Sequence, residues 1–460
     1  MGSFPLIAAA GALVGIAAAT APASGAWSPP QRVSTGPGDA GTPAVAADAA
    51  GDALAVWVQD SAGRGAVVAS ARRAGGPWSR PQPVSPPGLA AIDPDVAMAP
   101  GGRAIVVWRQ PDRTRTLRVG ARRVHQTVYL ARARGRSAAG RWGPARRLSD
   151  PRQKVGEPRV VVDGAGVAVA TWHWGTGTRA GTPGHVGRVQ VAEQPAGRAW
   201  TRARSVSTAA ACALDTRLPD VAAGPAGAVV WWQCDLPGGR SATVAVSRGA
   251  APGSWGREAR LPFDAAGDQL ADVAVTGDGT AIALRVAGGA ATAWRGAAAL
   301  GAPGALDLAP VALPGAREAA RGGGRPAVAA AQAGGLGGWI AGCAPGPCGG
   351  LGLAELGAAG APASVRALGG DPPPRFDPAL AVGDDGTAVV AARAARGVVA
   401  AVRPAGGDWT LPQRVSPPSP ADAASGVAVA AAGPGRAVAL WARRTAGRLV
   451  VERAEWGPGA

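Results

Sequence analysis

The chain has 460 residues, of which 47% are hydrophobic, and a formal net charge of +17. This hydrophobic share supports a substantial core and excludes global disorder, while the length allows several domains or one large repeat architecture. The positive charge is nearly all arginine and is dispersed, apart from one patch at residues 113–123. It therefore predicts generic surface charge and disfavours nucleic acid as a partner.

The N-terminal segment has the features of a secretory signal. Residues 6–20 are apolar and are followed by Ala21, Pro22 and Ala23, a small-residue pattern typical of a cleavage site. The apolar stretch is shorter than the roughly 20 residues that span a membrane. Because no Lys or Arg precedes it, an uncleaved anchor or a misplaced start codon is the alternative. We predict a signal peptide over residues 1–23 and a secreted or extracytoplasmic mature chain without a membrane span.

A ten-residue pattern then recurs along the chain, as in EPRVVVDGAG: its second residue is often a proline, apolar positions alternate after it, and a glycine closes it. Such short Val-rich runs between Gly and Pro turns favour strands over helices. The closing glycines of the eight copies are Gly51, Gly102, Gly166, Gly227, Gly279, Gly334, Gly386 and Gly435. Proline occupies the second position in six copies, at Pro43, Pro94, Pro158, Pro219, Pro326 and Pro378.

Each copy begins a unit of four short strands. A second apolar strand follows the glycine and often ends in tryptophan, as at Trp57 and Trp108; a fourth strand opens with another tryptophan, as at Trp78. Four-stranded units of about 50 residues are typical of the blades of a β-propeller. A blade cannot bury both of its faces alone, so we predict that most of the 16 tryptophans pack between adjacent blades.

The two ends of the chain predict how the ring closes. Residues 27–34 look like a fourth strand with no first three before it, and the last copy, from Gly426, has only three strands. We therefore predict an all-β fold: one eight-bladed propeller over residues 24–460, its last blade closed by N- and C-terminal strands. Because residues 280–325 are the most degenerate, seven or six blades, or an array of β-sandwiches, are the alternatives.

The repeat pattern P-x-V-A-x-D-x-x-G-x-A-x-x-W resembles secreted bacterial β-propellers and, more distantly, the Asp-box propellers of the sialidase type. Segments around Asp278 and Asp385 are similar to an Asp-box without its spacing. The resemblance implies the propeller fold and, as one alternative, a sialidase-like glycan-active hydrolase. Sialidases use a tyrosine nucleophile and three arginines; this chain has one tyrosine, Tyr129, so the catalytic residues stay unassigned.

Acidic residues gather where the inner strands begin, at the mouth of the predicted central channel. Carboxylates there could bind a cation, a basic ligand or a polyhydroxylated ligand. The alternative is that they cap turns. The candidate residues are Asp93, Asp95, Glu157, Asp220, Asp272 and Asp377.

Two long segments in blades 2 and 3, residues 110–127 and 173–188, are predicted to be loops that emerge on the same face. Elaborated loops on a rigid scaffold often carry binding sites. Their candidate residues are Arg113, Arg115, His125, His173, Trp174 and His185. The spacing of the three histidines is irregular, so we predict neither a metal site nor a cofactor.

The four cysteines predict two disulfides, Cys212–Cys234 and Cys343–Cys348, which suit an oxidising compartment. A zinc site is the alternative, but the C-x-x-C spacing is missing. Together these features predict a monomeric, secreted binding module with its ligand, a carbohydrate or another cell-envelope protein, on the face of the long loops of blades 2 and 3.

Overall fold

The computed structural model describes 22 stretches of the chain. They are residues 25–36, 38–61, 64–119, 122–151, 154–175, 187–208, 212, 215–225, 227–237, 240–262, 265–266, 270–287, 290–297, 306, 308–313, 326–330, 335–341, 350–357, 363–369, 378–394, 396–418 and 424–458. The predicted signal peptide, His185, Asp377, Cys343 and Cys348 lie outside them, as does the side chain of Arg115.

The described residues form eight consecutive antiparallel sheets, each counted outward from an inner strand. Blade 1 contains Ala40–Ala47, Ala53–Ser61, Arg64–Arg72 and Gln82–Pro83; blade 2 contains Ile92–Met98, Ala104–Val119, Arg122–Arg136 and Arg146–Arg147. Blade 3 contains Lys154–Val155 with Arg159–Val162, Ala168–Gly175, Gly187–Gln194 and Arg204–Ser205; blade 4 contains Asp215–Gly224, Gly227–Leu236, Arg240–Arg248 and Ala259–Arg260 with Ala265–Ala266. Blade 5 contains Leu270–Val275, Thr280–Ala287, Ala290–Ala297 and Ala309–Val311; blade 6 contains Ala327–Ala330, Gly335–Ala341, Gly350–Leu356 and Ser364–Gly369. Blade 7 contains Ala379–Val382, Ala388–Ala394, Gly397–Arg403 and Gln413–Arg414; blade 8 contains Ala424–Ala431, Ala437–Thr445, Arg448–Gly457 and the N-terminal strands Ala26–Trp27 and Gln31–Arg32.

The eight inner strands surround a central channel. Each contacts the inner strand of the next blade, and the inner strand of blade 8 contacts that of blade 1. At the end where the inner strands turn into the second strands, residues of all eight blades line one cavity of about 780 Å³. The predicted eight-bladed propeller is therefore confirmed, and the alternatives with fewer blades or with stacked sandwiches are wrong.

Blade 8 closes the ring as predicted. Its third strand, Arg448–Gly457, pairs with both N-terminal strands, so that Trp27 lies opposite Trp456. The two indole rings pack edge to face with centroids 5.9 Å apart. A single blade thus joins residues from opposite ends of the described chain.

The closing glycine of the repeat serves a tight turn between inner and second strands. In blade 1, Gly51 has a φ of 94° and donates its N–H to the carbonyl of Asp48. A Cβ atom at Gly51 would lie 3.0 Å from the carbonyl oxygen of Ala432 in blade 8. Glycine therefore meets both a conformational and a packing demand at this turn.

Tryptophans of the second strands pack between blades, as predicted. Trp57, Trp108, Trp172, Trp232 and Trp441 are fully buried. Each lies in a hydrophobic cluster that combines its own blade with the preceding one: Trp57, for example, packs against Leu440 and Val438 of blade 8. Replacing such a side chain with alanine costs about 3–5 kcal/mol.

Charged residues also join the blades. At three interfaces, a glutamate on the third strand of one blade pairs with an arginine at the end of the third strand of the next. In two of them a tryptophan that opens the fourth strand donates its indole N–H to the same glutamate. The sets are Glu455–Arg72–Trp78, Glu355–Arg403–Trp409 and Glu193–Arg248.

Candidate functional site: the channel mouth

The opposite end of the channel, where the inner strands begin, is here called the channel mouth. In blades 1, 2, 4 and 8 the pairing with the second strand shifts by one residue at this point. The residue at the shift has a left-handed backbone: Thr42, Asp93, Leu218 or Gly426. Such bulges redirect the neighbouring side chains.

Asp93, at the bulge of blade 2, is bound within its own blade. Its carboxylate accepts a hydrogen bond from Arg109 on the second strand, and the two side chains form an ion pair. The guanidinium of Arg109 lies over the ring of Tyr129, 5.3 Å from its centroid. Asp93 therefore holds a positively charged group at the mouth rather than capping a turn.

Arg159 of blade 3 is surrounded by carboxylates of blades 2, 3 and 4 at the channel mouth. It occupies the position of the repeat that Asp95 holds in blade 2 and Asp220 in blade 4. Its Nε lies 4.0 Å from Oδ2 of Asp220, and its Nη2 lies 3.5 Å from Oε2 of Glu157. Burial alone would lower the pKa of Arg159, but the surrounding carboxylates outweigh burial and raise it. The contributing acids are Asp220, Asp95, Glu157 and Asp93.

Asp95 links blades 2 and 3. Its Oδ2 accepts a hydrogen bond of 2.8 Å from the backbone N–H of Val160 on the neighbouring inner strand. Burial raises the pKa of Asp95 to about 6; Asp220 adds to this effect, while Arg159 and the Val160 N–H oppose it. Asp95 is thus a carboxyl group whose charge is costly in its surroundings.

Asp272 makes the same kind of link between blades 5 and 6, since its Oδ2 accepts a hydrogen bond of 2.7 Å from the Val328 N–H. Asp220 and Asp272 also line a cavity of about 290 Å³, together with Trp231 and Val328. Of the six predicted acids, the structure therefore brings four around Arg159 and joins Asp220 to Asp272 through this cavity. Asp377 lies outside the described residues.

The segment 110–127 is a β-ribbon, so its prediction as a loop is wrong. The second and third strands of blade 2, Ala104–Val119 and Arg122–Arg136, stay paired along their length, whereas the second strands of the other blades have seven to ten residues. Thr116 Oγ1 lies 3.2 Å from Nδ1 of His125 across the ribbon. Arg113 donates a hydrogen bond of 2.7 Å to the carbonyl of Pro151, which leads into blade 3.

In blade 3, the candidate residues His173 and Trp174 lie at the end of a strand, Ala168–Gly175, where the sequence predicted a loop to begin. Both are half-buried, and the carbonyl of His173 accepts a hydrogen bond from the N–H of Gly156 beside the inner strand. His125 and His173 belong to different blades. Among the described residues, no three His, Cys, Asp or Glu side chains are grouped to hold a metal ion.

The disulfide Cys212–Cys234 is confirmed, with the two Cα atoms 5.1 Å apart. It joins the segment before the inner strand of blade 4 to the second strand, and Trp232 donates its indole N–H to Sγ of Cys212. A disulfide is compatible with an extracytoplasmic location. The described part of the chain contains no helix that is long and apolar enough to cross a membrane.

In comparisons with known proteins, the chain is similar in fold to several solved structures. No family model and no curated protein matches the chain. It is similar to a protein of unknown function from Dyadobacter fermentans, with 8% identity and a TM-score of 0.44, over 94% of this chain and 99% of that one. It is also similar to a Hadza microbial sialidase (9%, TM-score 0.42), over 90% of this chain and 65% of that one. A third similar structure is the GH93 α-L-arabinofuranosidase of Fusarium graminearum, with 11% identity and a TM-score of 0.39, over 91% of this chain and 92% of that one. A sialidase is thus among the solved structures to which the chain is similar.

Proposed function

We propose that this propeller is a binding module that holds a neutral or aminated carbohydrate at its channel mouth, beside the ribbon of blade 2. The observation that carries the proposal is the charge of the mouth. On a chain of net charge +17, this region is acidic. Asp93, Asp95, Glu157, Asp220 and Asp272 lie there with Arg109 and Arg159.

This balance of charge supports a particular class of ligand. Carboxylates accept hydrogen bonds from hydroxyl or ammonium groups, and the central Arg159 can donate to hydroxyl or ring oxygens. A ligand that carries its own carboxylate would meet like charges on several sides, which is unfavourable in a partly desolvated site. The mouth therefore supports a sugar with hydroxyl or amino groups over an acidic sugar.

The test is a glycan array that contains neutral, amino-sugar and sialylated glycans, probed with the purified protein. We expect binding to the first two groups. Asp220→Asn should weaken it by about tenfold, since a hydrogen bond to a charged group contributes about 1.5–3 kcal/mol. Asp408→Asn is the matched control, because Asp408 is 91% exposed and lies in the turn before the fourth strand of blade 7. Binding only to sialylated glycans, or equal losses in both variants, would contradict the proposal.

One observation favours a second candidate, a glycan-active hydrolase. A carboxyl group with a pKa near 6, such as Asp95, can stay protonated and act as a general acid. A neighbouring carboxylate, Asp220, would then serve as the base or nucleophile. Turnover of fluorogenic glycosides that is lost in Asp95→Asn would favour this candidate; binding without turnover would favour the binding module.

A further inference from the structure

The cavity between blades 4, 5 and 6 has features of a ligand-binding site. Trp231 and Asp220 are cross-strand partners in blade 4, so their side chains share one face of the sheet. That face meets Asp272 of blade 5 and Val328 of blade 6 around the 290 Å³ cavity. The cavity thus combines an indole, two carboxylates and aliphatic walls in one place.

The indole N–H of Trp231 is buried and has no hydrogen-bond partner among the described residues, although Trp231 is only 3% exposed. Its neighbour Trp232 differs, since its N–H is bonded to Sγ of Cys212. A buried N–H without a partner costs about 1–3 kcal/mol. Trp27, Trp174 and Trp255 also have buried indole N–H groups without a partner, but none of them lines this cavity.

The three polar groups define the chemistry that would complement them. The indole N–H needs an acceptor oxygen, and the two carboxylates, which already accept from Val221 and Val328, can each accept further hydrogen bonds. A hydroxyl group is both donor and acceptor, and a sugar ring carries several hydroxyls around an apolar face that can pack against an indole. A volume of about 290 Å³ is just below the roughly 300–1,000 Å³ of sites for drug-sized ligands, so the space suits one ring rather than an oligosaccharide.

We infer that this cavity is a subsite for a single sugar ring, with an oxygen accepting from the Trp231 N–H and hydroxyl or amino groups donating to Asp220 and Asp272. The inference rests on the proposed function and deepens it, because it places one unit of the bound glycan between blades 4, 5 and 6. Asp220 would then face the ring on one side and Arg159 on the other.

The test follows the indole resonances of ¹⁵N-labelled wild-type protein by NMR while D-glucose and D-glucosamine are added in separate titrations. The Trp231 resonance is assigned by its absence from Trp231→Phe, or from Trp231→Tyr if the first variant does not fold. We expect it to shift saturably with both sugars, and the Trp232 resonance to stay in place. N-acetylneuraminic acid, which is anionic, should leave both unchanged.

A second measurement follows the Trp231 shift in Asp272→Asn, which keeps an acceptor oxygen for the Val328 N–H. We expect about tenfold weaker sugar binding in this variant and no change in Asp408→Asn. If glycans bind the array but the Trp231 resonance does not move, the inference is wrong while the proposed function stands. If the resonance moves with the sugars but no glycan binds, the subsite stands and the proposed function is wrong.

Discussion

Arg72 of blade 1 forms an ion pair with Glu455 of blade 8, although 383 residues separate them in the chain. Trp78 donates its indole N–H to the same carboxylate at 2.6 Å, and Arg453 does so from its own strand at 3.0 Å. The pair therefore lies at the interface where the ring closes. Because the side chain of Arg72 is only 4% exposed, the carboxylate of Glu455 compensates a charge that water barely reaches.

The first prediction concerns this ring closure. Glu455→Gln keeps an acceptor for Trp78 but leaves the buried guanidinium of Arg72 without a counter-charge, so we expect a loss of about 3 kcal/mol in the free energy of unfolding. Urea denaturation of the two proteins measures it. Asp408→Asn removes an exposed charge and should change stability by less than about 0.5 kcal/mol. Equal effects of the two substitutions would show that the interfacial pair contributes nothing.

The second prediction concerns the pH dependence of stability. Burial alone would raise the pKa of Glu455, but Arg72, Trp78 and Arg453 outweigh it and hold the pKa below its usual value of 4.5. A lowered pKa in the folded state means that the carboxylate stabilises the fold above about pH 4.5 and that this contribution is lost as the pH falls further. Unfolding measured from pH 3 to pH 7 should show a smaller loss in acid for Glu455→Gln than for the wild type.

The third prediction concerns Asp95, whose pKa is shifted in the direction opposite to that of Glu455. The pKa of Asp95 is raised from 3.8 to about 6, so the folded protein binds a proton more tightly than the unfolded chain does. The contribution of Asp95 is therefore most favourable below about pH 3.8 and is lost as the pH rises through 6. Asp95→Asn should remove this part of the pH dependence and raise stability near pH 7 by on the order of 1 kcal/mol. A stability decrease at pH 7 would mean that the attraction to Arg159 outweighs burial.

The fourth prediction concerns the disulfide of blade 4. Cys212 and Cys234 close a loop with a sequence separation of 22, so replacing both with alanine should lower the free energy of unfolding by about 3 kcal/mol. A reductant should have a similar effect on the wild type. If the double variant is still destabilised by reductant, the predicted bond Cys343–Cys348 also forms; if reductant has no effect on either protein, the predicted cost is wrong.

The fifth prediction concerns the bulge at the start of the inner strand of blade 4. Leu218 has a φ of 49° and is 44% exposed, so it has a strained backbone and loses little burial when replaced. Asparagine tolerates the left-handed region better, and Leu218→Asn should raise stability by about 0.5–1 kcal/mol. Leu411→Asn, at an exposed leucine without a positive φ, is the control and should gain nothing. Thermal denaturation of both variants measures the difference.

The blade count and the ring closure could be predicted from sequence because their signals are local: proline at a strand start, glycine in a tight turn, and tryptophan at fixed positions. The sequence predicts a loop at the ribbon of blade 2 because residues 110–116 contain a proline and otherwise only polar side chains. Alternation of threonine and arginine from Arg113 to Thr116 was the overlooked signal for a strand.

The channel mouth was predicted only in part. The sequence singled out Asp95 and Asp220 but not Arg159, which occupies the same repeat position one blade away. Apart from Glu157, its partners lie on other blades, so its role depends on contacts across the ring that spacing along the chain does not encode. Aligning this position across all copies would have shown an arginine between two aspartates. The sequence predicts Trp231 as a core residue like Trp232, but the two differ in the structure: Trp231 lines a cavity, and its indole N–H lacks the partner that the Trp232 N–H has in Cys212.

The pairing of Ala26–Trp27 with Arg448–Gly457 has a consequence for the order in which the molecule is built. Blades 1 to 7 each consist of consecutive strands and can form during synthesis of the chain. Blade 8 is complete only when its third strand, Arg448–Gly457, pairs with Ala26–Trp27. Contacts between such distant segments make folding slow. Until the two strands pair, each presents an unpaired backbone edge that can associate with other chains.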